Sequence, residues 1–339
     1  MDNTSNGAGS GSGSNIERGP DDGFDQTPVE GLNAGPGAEL LRTLDIGTGG
    51  GHYFNDVSWN MRSIRCVGTP ELLVRPRSDG SNGPLCRVGI VDCEATSTDP
   101  ERAELFDLAL AIVEVDANGV IVSLTAFEHA QRDPGKPIPA DVVRITRVTD
   151  AMVAGKQLDH AHWESLLCSC DYLVAHNAAY DAILLERLLP NISGARWACS
   201  MTQIDWTGHG FDGRNLGYLL MQAGFYNSAH RASADVITLL HLLSWAEDFV
   251  PVMHELLTNA DKDSLLIGAY KAPYSSKTVL RDRGYRWNAI DKIWMKEVDL
   301  ELAEIERRWL YHEAGCISPL IMPVNARQRF RRMRLPSPR

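Results

Sequence analysis

The sequence predicts an α/β fold with a mixed five-stranded sheet flanked by helices, and two observations support this prediction. Between residues 86 and 129, three strand-like apolar segments follow one another with short connections, a pattern typical of an antiparallel meander. Between residues 159 and 249, helical segments alternate with two short apolar strands. A small α+β C-terminal module is predicted at residues 261–315.

The elements of the larger domain can be predicted in order. The meander consists of Cys86–Val91, "FDLALAIVEVD" and "VIVSLTAFEH", and the turn "ANG" joins its last two strands. A loop punctuated by prolines follows. Helices are then predicted in "DHAHWESLLCSC", "YDAILLERLL", "NLGYLLMQAG" and "ASADVITLLHLLSWAEDF", and strands in "YLVAH" and "RWACSM".

The rest of the chain divides by composition. Residues 1–37 are rich in Gly, Ser, Asn, Asp and Pro and are predicted to be disordered. Residues 38–83 form a partly ordered extension with a short helix near its start, ahead of the main domain at 84–250. Residues 316–339 end in an arginine-rich tail, which we expect to be disordered and able to contact a nucleic-acid strand.

Composition limits the class of protein. A chain of 339 residues with 44% hydrophobic content can fill a sizeable core, and its net charge of −11 argues against a generally basic protein that coats nucleic acid. Seven cysteines without a C-x2-C pair indicate neither a disulfide scaffold nor a structural zinc site. No signal peptide or membrane span is apparent, so we expect a cytoplasmic protein that does not bind membranes.

Two acids end the first strand of the meander, in "VGIVDCEATS". Because side chains alternate along a strand, Asp92 and Glu94 point to one face and Cys93 to the other. Two like charges on one face repel, and a divalent cation such as Mg²⁺ or Mn²⁺ would neutralise them. The alternative is an ordinary strand end that passes into a polar loop.

Further polar residues lie at the starts of helices. Asp181 follows the buried strand "YLVAH", where an acid also caps a helix well. His230 precedes another predicted helix, and Asp235 lies in its first turns. Each acid has a structural explanation when taken alone, but four acids and a histidine at element ends indicate a shared site.

These residues resemble the motifs of the DnaQ-like, DEDDh 3'-to-5' exonucleases, which include the proofreading epsilon subunit of DNA polymerase III and ribonuclease T. Motif I is similar to "VDCEATS", motif II to "HNAAYD" and motif III to "HRASAD", and "ITRVTDAMVAGK" resembles the segment between motifs I and II. The similarity covers about residues 85–247. Histidine five residues before Asp235 marks the histidine subtype, because the tyrosine subtype would need Tyr where Arg231 stands.

The resemblance implies a ribonuclease H-like fold and two divalent cations, Mg²⁺ or Mn²⁺. Asp92, Glu94 and Asp235 would hold one cation, and Asp92 and Asp181 would help to hold the second. His230 would take the proton from the attacking water. Thr96 occupies the position whose backbone meets the terminal 3' sugar, and Asn177 lies in the motif II loop. Ala95 and Ser97 replace the Thr and Gly that are common beside motif I.

The chemistry of phosphodiester hydrolysis is consistent with these roles. Two cations about 3.5–4 Å apart stabilise the attacking and the leaving oxygen. An imidazole changes charge near neutral pH, which suits it to accept a proton from water.

The module carries bases interleaved with aromatics in "KTVLRDRGYRWNAIDKIW". Nucleic-acid contacts are predicted for Lys277, Arg281, Arg286 and Trp287, since basic side chains bind phosphates and aromatic rings stack on nucleobases. The alternative is a module whose aromatics form its core and whose charges are solvated.

The sequence therefore predicts a metal-dependent exonuclease that removes nucleoside monophosphates from 3' ends of single-stranded DNA or RNA. A non-catalytic nucleic-acid-binding or scaffold protein with the same fold is the main alternative, and a nuclease that cuts internally is a third. The sequence leaves open the preference for DNA or RNA, and a role in proofreading, repair or RNA maturation. It also leaves open a homodimer and a polymerase or repair partner.

Overall fold

The computed structural model describes residues 54–56, 59–61, 64–228, 230–247, 249–289 and 291–331, which belong to one compact unit. The segment predicted to be disordered (1–37) and the short helix expected after it lie outside the described residues. Three short strands come first: β1 (Phe54–Asp56) pairs with β2 (Trp59–Met61), and β3 (Arg65–Cys66) runs parallel to a strand much later in the chain. A 3-10 helix follows at Pro70–Leu73.

The central sheet confirms the predicted mixed five-stranded arrangement. Strands β4 (Cys86–Ala95), β5 (Leu105–Val115) and β6 (Ile121–Gln131) form the antiparallel meander. The connection after β6, predicted as a loop, contains helices α1 (Ala140–Thr146) and α2 (Asp150–Val153). Then come α3 (His160–Cys168), β7 (Tyr172–Ala175), α4 (Ala178–Leu188), a 3-10 turn at Pro190–Ile192 and β8 (Trp197–Cys199). The strand order is β6-β5-β4-β7-β8, with β7 and β8 parallel to β4.

Helices cover both faces of this sheet. The second half of the domain contains α5 (Leu216–Gln222), β9 (Phe225–Tyr226), which pairs with β3, and α6 (Ala232–Leu243). Val88 and Ile90 of β4 pack with α6 in one core, whereas Val91 and Cys93 pack in a second core with α3 and α4. The alternation of β4 therefore assigns its even-numbered residues to the α6 side and its odd-numbered residues to the α4 side.

The helix predicted at residues 232–249 is shorter in the structure. It ends at Leu243. A hairpin of two short strands follows, β10 (Ala246–Glu247) and β11 (Val250–Pro251), and then a separate helix, α7 (Val252–Asp261). Pro251 is the N-cap of α7, a position outside the helix that tolerates a residue without a backbone N–H. Among the described residues, no helix is both long and apolar enough to cross a bilayer.

The C-terminal module is a four-stranded antiparallel sheet with two helices. Its elements are β12 (Ser264–Gly268), a 3-10 turn at Tyr274–Ser276, α8 (Lys277–Asp282), β13 (Arg286–Asn288), β14 (Ile293–Asp299), a 3-10 turn at Leu300–Leu302, α9 (Ala303–His312) and β15 (Leu320–Val324). The strand order is β13-β14-β12-β15. The predicted boundary at residue 315 is therefore too early, because β15 pairs along the whole of β12.

Residues 325–331, which we call the C-terminal strap, were predicted to belong to a disordered tail but are packed against the rest of the chain. Arg329 is only 5% exposed and donates to the carbonyl oxygens of Ala260 (2.8 Å) and Lys262 (2.7 Å). The amide of Trp197, at the start of β8, donates to the carbonyl of Ala326 (3.1 Å). Arg331 pairs with Glu186 of α4 at 2.7 Å. The strap thus joins the module to the edge of the central sheet.

The turn between β5 and β6 should tolerate no side chain at Gly119. This glycine has a φ of +85°, and a Cβ atom there would lie 2.5 Å from the backbone nitrogen of His254 in α7. We expect Gly119→Ala to lower the free energy of unfolding by about 2–4 kcal/mol, measured by urea denaturation. Gly135→Ala is the matched control, because Gly135 also has a positive φ (+70°) but nothing within 4 Å of the added Cβ. Equal losses for the two variants would show that the contact with α7 is unimportant.

Candidate active site

The carboxyl end of β4 places two acids on one face of the central sheet. Asp92 and Glu94 continue the row of Val88 and Ile90, so they lie on the side of the sheet that α6 covers. The pairing of β4 with β5 becomes irregular between Glu94 and Ala95. Regular pairing with β5 therefore fixes the positions of these two acids, and they are the last residues on this face for which it does so.

Helix α6 brings a third acid and a histidine to the same place. The backbone N–H of His230 donates to Oδ2 of Asp235 at 2.9 Å, across the start of the helix. One ligand atom each from Glu94, His230 and Asp235 lies within 4.8 Å of the other two. His230 is exposed, while Glu94 and Asp235 are half-buried. These three predicted site residues therefore meet at one point that could hold a cation.

His230 has an unusual backbone conformation. Its φ is +63°, in the left-handed region that side chains rarely adopt, although histidine tolerates it better than most residues. Such conformations cost about 1–3 kcal/mol and persist where surrounding contacts enforce them. Here the hydrogen bond to Asp235 and the start of α6 hold the residue in place.

The fourth acid reaches the site from the opposite side of the sheet. Asp181 lies in the first turn of α4 and is 4% exposed. It lies beside Cys93, the residue between Asp92 and Glu94, and the thiol lowers the pKa of the Asp181 carboxylate in partial opposition to burial. Asn177 precedes α4, is exposed, and makes no capping hydrogen bond with its side chain. Its side chain is consequently available to a ligand beside Asp181.

The acids have raised pKa values. Burial, together with repulsion from Asp181, Asp235 and other acids, holds the pKa of Asp92 well above its ordinary value. Burial and neighbouring acids raise the pKa of Glu94 to about 8. Burial raises the pKa of Asp181 to about 7 and that of Asp235 to about 6. The oxygen donors of this cluster suit a hard divalent cation such as Mg²⁺ or Mn²⁺.

Thr96 is buried and committed to internal hydrogen bonds. Its amide donates to the carbonyl of Glu104 at 3.0 Å, and its hydroxyl accepts from the amide of Glu104 at 3.0 Å. A contact between the Thr96 backbone and a terminal sugar stays a prediction, and only the carbonyl oxygen could make it. Thr96 closes the loop that follows β4, and Tyr180 of α4 braces that loop by donating to the carbonyl of Ser97 at 2.5 Å.

Two residues near the site were not predicted from the sequence. Asp107 of β5 is opposite Glu94 in the ladder and fully buried. Its signal was an acid inside the apolar run "LFDLALAIVEV". His176 lies within the motif II sequence but had no assigned role. It bonds the hydroxyl of Ser200 (2.8 Å) and the carbonyl of Arg214 (2.7 Å), and so ties the end of β7 to the loop after β8.

The predicted nucleic-acid contacts of the module have different surroundings. Trp287 is 50% exposed on the edge strand β13, and Arg286 beside it is exposed. Lys277 is exposed but lies over the ring of Tyr274, 4.5 Å from its centroid, and Arg281 is 3.5 Å from Asp282. Tyr285 and Trp294, by contrast, pack in the core of the module. The aromatic residues are therefore divided between core and surface.

Comparison with known proteins agrees with the motif analysis. Residues 90–243 match the model of the RNase_T family, described as "Exonuclease". This match confirms the predicted family resemblance for that part of the chain. A search of the curated proteins finds no match.

The solved structures that the chain matches include exonuclease X in complex with 5' overhanging duplex DNA. It is 21% identical, with a TM-score of 0.37, and the match covers 49% of this chain and 99% of that one. The zinc-bound complex of E. coli exonuclease I with single-stranded DNA is 12% identical, with a TM-score of 0.42, and the match covers 72% of this chain. E. coli exonuclease I with a dA16 oligonucleotide is 14% identical, with a TM-score of 0.42. The chain matches 64% of the length of exonuclease I in both complexes.

The raised pKa values predict how stability depends on pH in the absence of divalent cations. The folded protein binds a proton at Asp235 more tightly than the unfolded chain does. Protonation of Asp235 therefore adds to the free energy of unfolding fully at low pH, and this stabilisation is lost as pH rises from about 4 to about 6. We expect Asp235→Asn to stabilise the cation-free protein at pH 8 by about 1–3 kcal/mol and to change little at pH 4. Urea denaturation in EDTA at the two pH values measures this.

Asp133→Asn provides a control of opposite sign. Hydrogen bonds from the amides of Gly155 and Gly135 lower the pKa of Asp133, so its contribution to stability is present at neutral pH and lost in acid. A destabilised Asp235→Asn variant at pH 8 would mean that the carboxylate serves mainly as the hydrogen-bond acceptor of His230.

Proposed function

We propose that the chain, which carries an exonuclease domain at residues 90–243, is a metal-dependent 3'-to-5' exonuclease acting on single-stranded nucleic-acid ends. It would hydrolyse the terminal phosphodiester and release nucleoside monophosphates. The observation that carries the proposal is the convergence of Glu94, His230 and Asp235 within 4.8 Å, with Asp92 and Asp181 close enough to interact electrostatically. The two acids of β4 repel each other when charged, and a positively charged ligand would relieve that repulsion.

The carboxylates of the site are suited to hold two cations. Glu94, Asp235 and Asp92 would hold one, and Asp92 and Asp181 would hold the other from the two sides of the strand end. When bound, the two cations supply positive charge to the attacking and leaving oxygens of the phosphodiester. The carboxylates also place the scissile phosphate, because a phosphate can approach this acidic cluster only where cations compensate its charge.

His230 is the group that would accept the proton of the attacking water. It contributes an imidazole beside two carboxylates, and an imidazole exchanges protons near neutral pH. Its side chain is exposed, so the proton can pass to solvent after the reaction. Its backbone N–H donates to Asp235, and this hydrogen bond fixes the position of the general base relative to a metal ligand.

The module would contact a part of the nucleic acid remote from the scissile bond. The acids lie at the carboxyl end of β4, and the strap attaches the module at Trp197, the amino end of the parallel strand β8. Through the ladder, Trp197 is level with Gly89, so Asp92 lies three residues, about 10 Å, further along the strand direction. Arg286 and Trp287 point to opposite faces of edge strand β13, so a nucleic-acid strand lying along that edge could contact both.

The proposed activity can be tested with DNA and RNA oligonucleotides labelled at the 5' end. We expect a ladder of products shortened from the 3' end, no activity in excess EDTA, and restored activity with Mg²⁺ or Mn²⁺. His230→Asn should lower kcat by about 10²–10⁴-fold, because a positioned general base is lost. Asparagine is chosen because it tolerates the positive φ of position 230.

Other outcomes separate the alternatives. Scattered internal fragments would indicate an endonuclease, and a mobility shift without cleavage would indicate a non-catalytic binding protein. A well-folded His230→Asn variant with wild-type turnover would remove the histidine from the mechanism and leave the cation-dependent activity in place.

A separate prediction concerns the module. Trp287→Ala should raise KM for an oligonucleotide of about 20 nucleotides but not for a tetranucleotide, with kcat unchanged on both. Arg286→Gln should also flatten the salt dependence of binding. Arg308→Gln is the matched control, since it removes an equal charge from an arginine already paired with Glu304 at 3.0 Å. Equal effects on both substrates would contradict a remote contact. Point variants are preferred to truncation, because the strap contributes Ala326 and Phe330 to the domain cores.

A further inference from the structure

We propose that Asp107 is a positioning residue that sets the conformation of His230 through Arg231. The proposal rests on the proposed function, because it concerns the residue assigned as general base. Asp107 lies on β5 opposite Glu94 and is fully buried, and it shares a sheet face with Asp92 and Glu94. A buried carboxylate behind the metal-binding acids would add to their repulsion unless cationic groups compensate it.

The two oxygens of Asp107 face two different basic side chains. Oδ1 lies 2.6 Å from Nε2 of His129, which comes from the neighbouring strand β6. Oδ2 lies 3.5 Å from Nε of Arg231. Oδ2 of Asp107 and Nε of Arg231 are both buried, and neither has a hydrogen-bond partner. A buried polar group without a partner lowers the stability of the fold. The ion pair between Oδ2 and Nε therefore compensates both atoms.

Arg231 connects this buried pair to the general base. It is the residue that precedes α6, and it follows His230 directly in the chain. His230 is therefore held from two sides. Its own amide donates to Asp235 at 2.9 Å, and the side chain of its neighbour is anchored to Asp107. These two anchors account for a histidine that keeps a left-handed backbone at the start of a helix.

A direct role of Asp107 as a metal ligand fits the geometry less well. One oxygen is already engaged by His129. The other faces a guanidinium, which would repel a cation bound there.

The experiment measures Asp107→Asn in two backgrounds. In the otherwise wild-type enzyme we expect kcat to fall about 10- to 100-fold, the usual effect of removing a group that orients an active-site residue. KM and the affinity for Mn²⁺, measured by calorimetry, should change less than about twofold. In the His230→Asn background, the same substitution should cause no further loss, because the residue it positions is already absent.

Arg231→Gln tests the same link from its other end, which also covers the case in which Asp107→Asn does not fold. The double variant Asp107→Asn with Arg231→Gln should be no slower than the slower single variant. Arg231→Lys, which keeps the charge, should recover part of the rate. The control is Asp116→Asn, at the far end of β5, where the carboxylate accepts the amide of Ser78 at 2.7 Å. It should lower the melting temperature without changing kcat of the folded protein.

Three results would overturn the proposal. The first is an equal slowing by Asp107→Asn with and without His230, and the second is a large loss of Mn²⁺ affinity, which would place Asp107 among the metal-binding groups. The third is a loss of activity that only follows the folded fraction, as in the Asp116 control. If His230→Asn itself turns over at the wild-type rate, the assignment of the general base fails instead. That outcome is separate from any effect of Asp107.

Discussion

Electrostatic repulsion among the acids at the end of β4 is the constraint on which this site depends. Asp92 and Glu94 lie on one face of the strand, and Asp235 and Asp181 approach from helices on the two sides of the sheet. Burial raises the pKa values of all four acids, and repulsion from neighbouring acids adds to the rise at Asp92 and Glu94. Rigid strands and helices hold such acids close together, and a bound cation compensates their negative charge during catalysis.

The helices that deliver these acids also reduce the cost of holding them. α4 and α6 both begin next to the site, with Asp181 and Asp235 in their first turns. The amino end of a helix carries a partial positive charge and unpaired N–H groups, which favour nearby anions. His230, which precedes the N-cap residue of α6, adds a further N–H by donating its amide to Asp235. The architecture thus supports the acids electrostatically before any ligand binds.

Sequence patterns that act locally were sufficient for much of the fold and the site. The apolar strands, the acids at their ends and the helix starts depend on neighbouring residues, so β4 to β8 and the approach of Glu94, His230 and Asp235 could be predicted. Asp107 was missed because an acid in an apolar run gains meaning only when its cross-strand neighbours Glu94 and His129 are known. The strap was missed because its arginines find their partners 69 and 145 residues earlier in the chain, at Ala260 and Glu186.

The strap also determines what the central sheet presents to its surroundings. β8 is an edge strand, and an uncovered edge offers unpaired N–H and C=O groups on which a second chain can add. The bond from Trp197 to Ala326 and the arginines that reach the carbonyls of Gly194 and Ala195 occupy this edge with the protein's own backbone and cations. Loss of these few contacts would convert a closed border of the sheet into a template for self-association. The contacts that close this edge therefore come from residues outside the candidate active site.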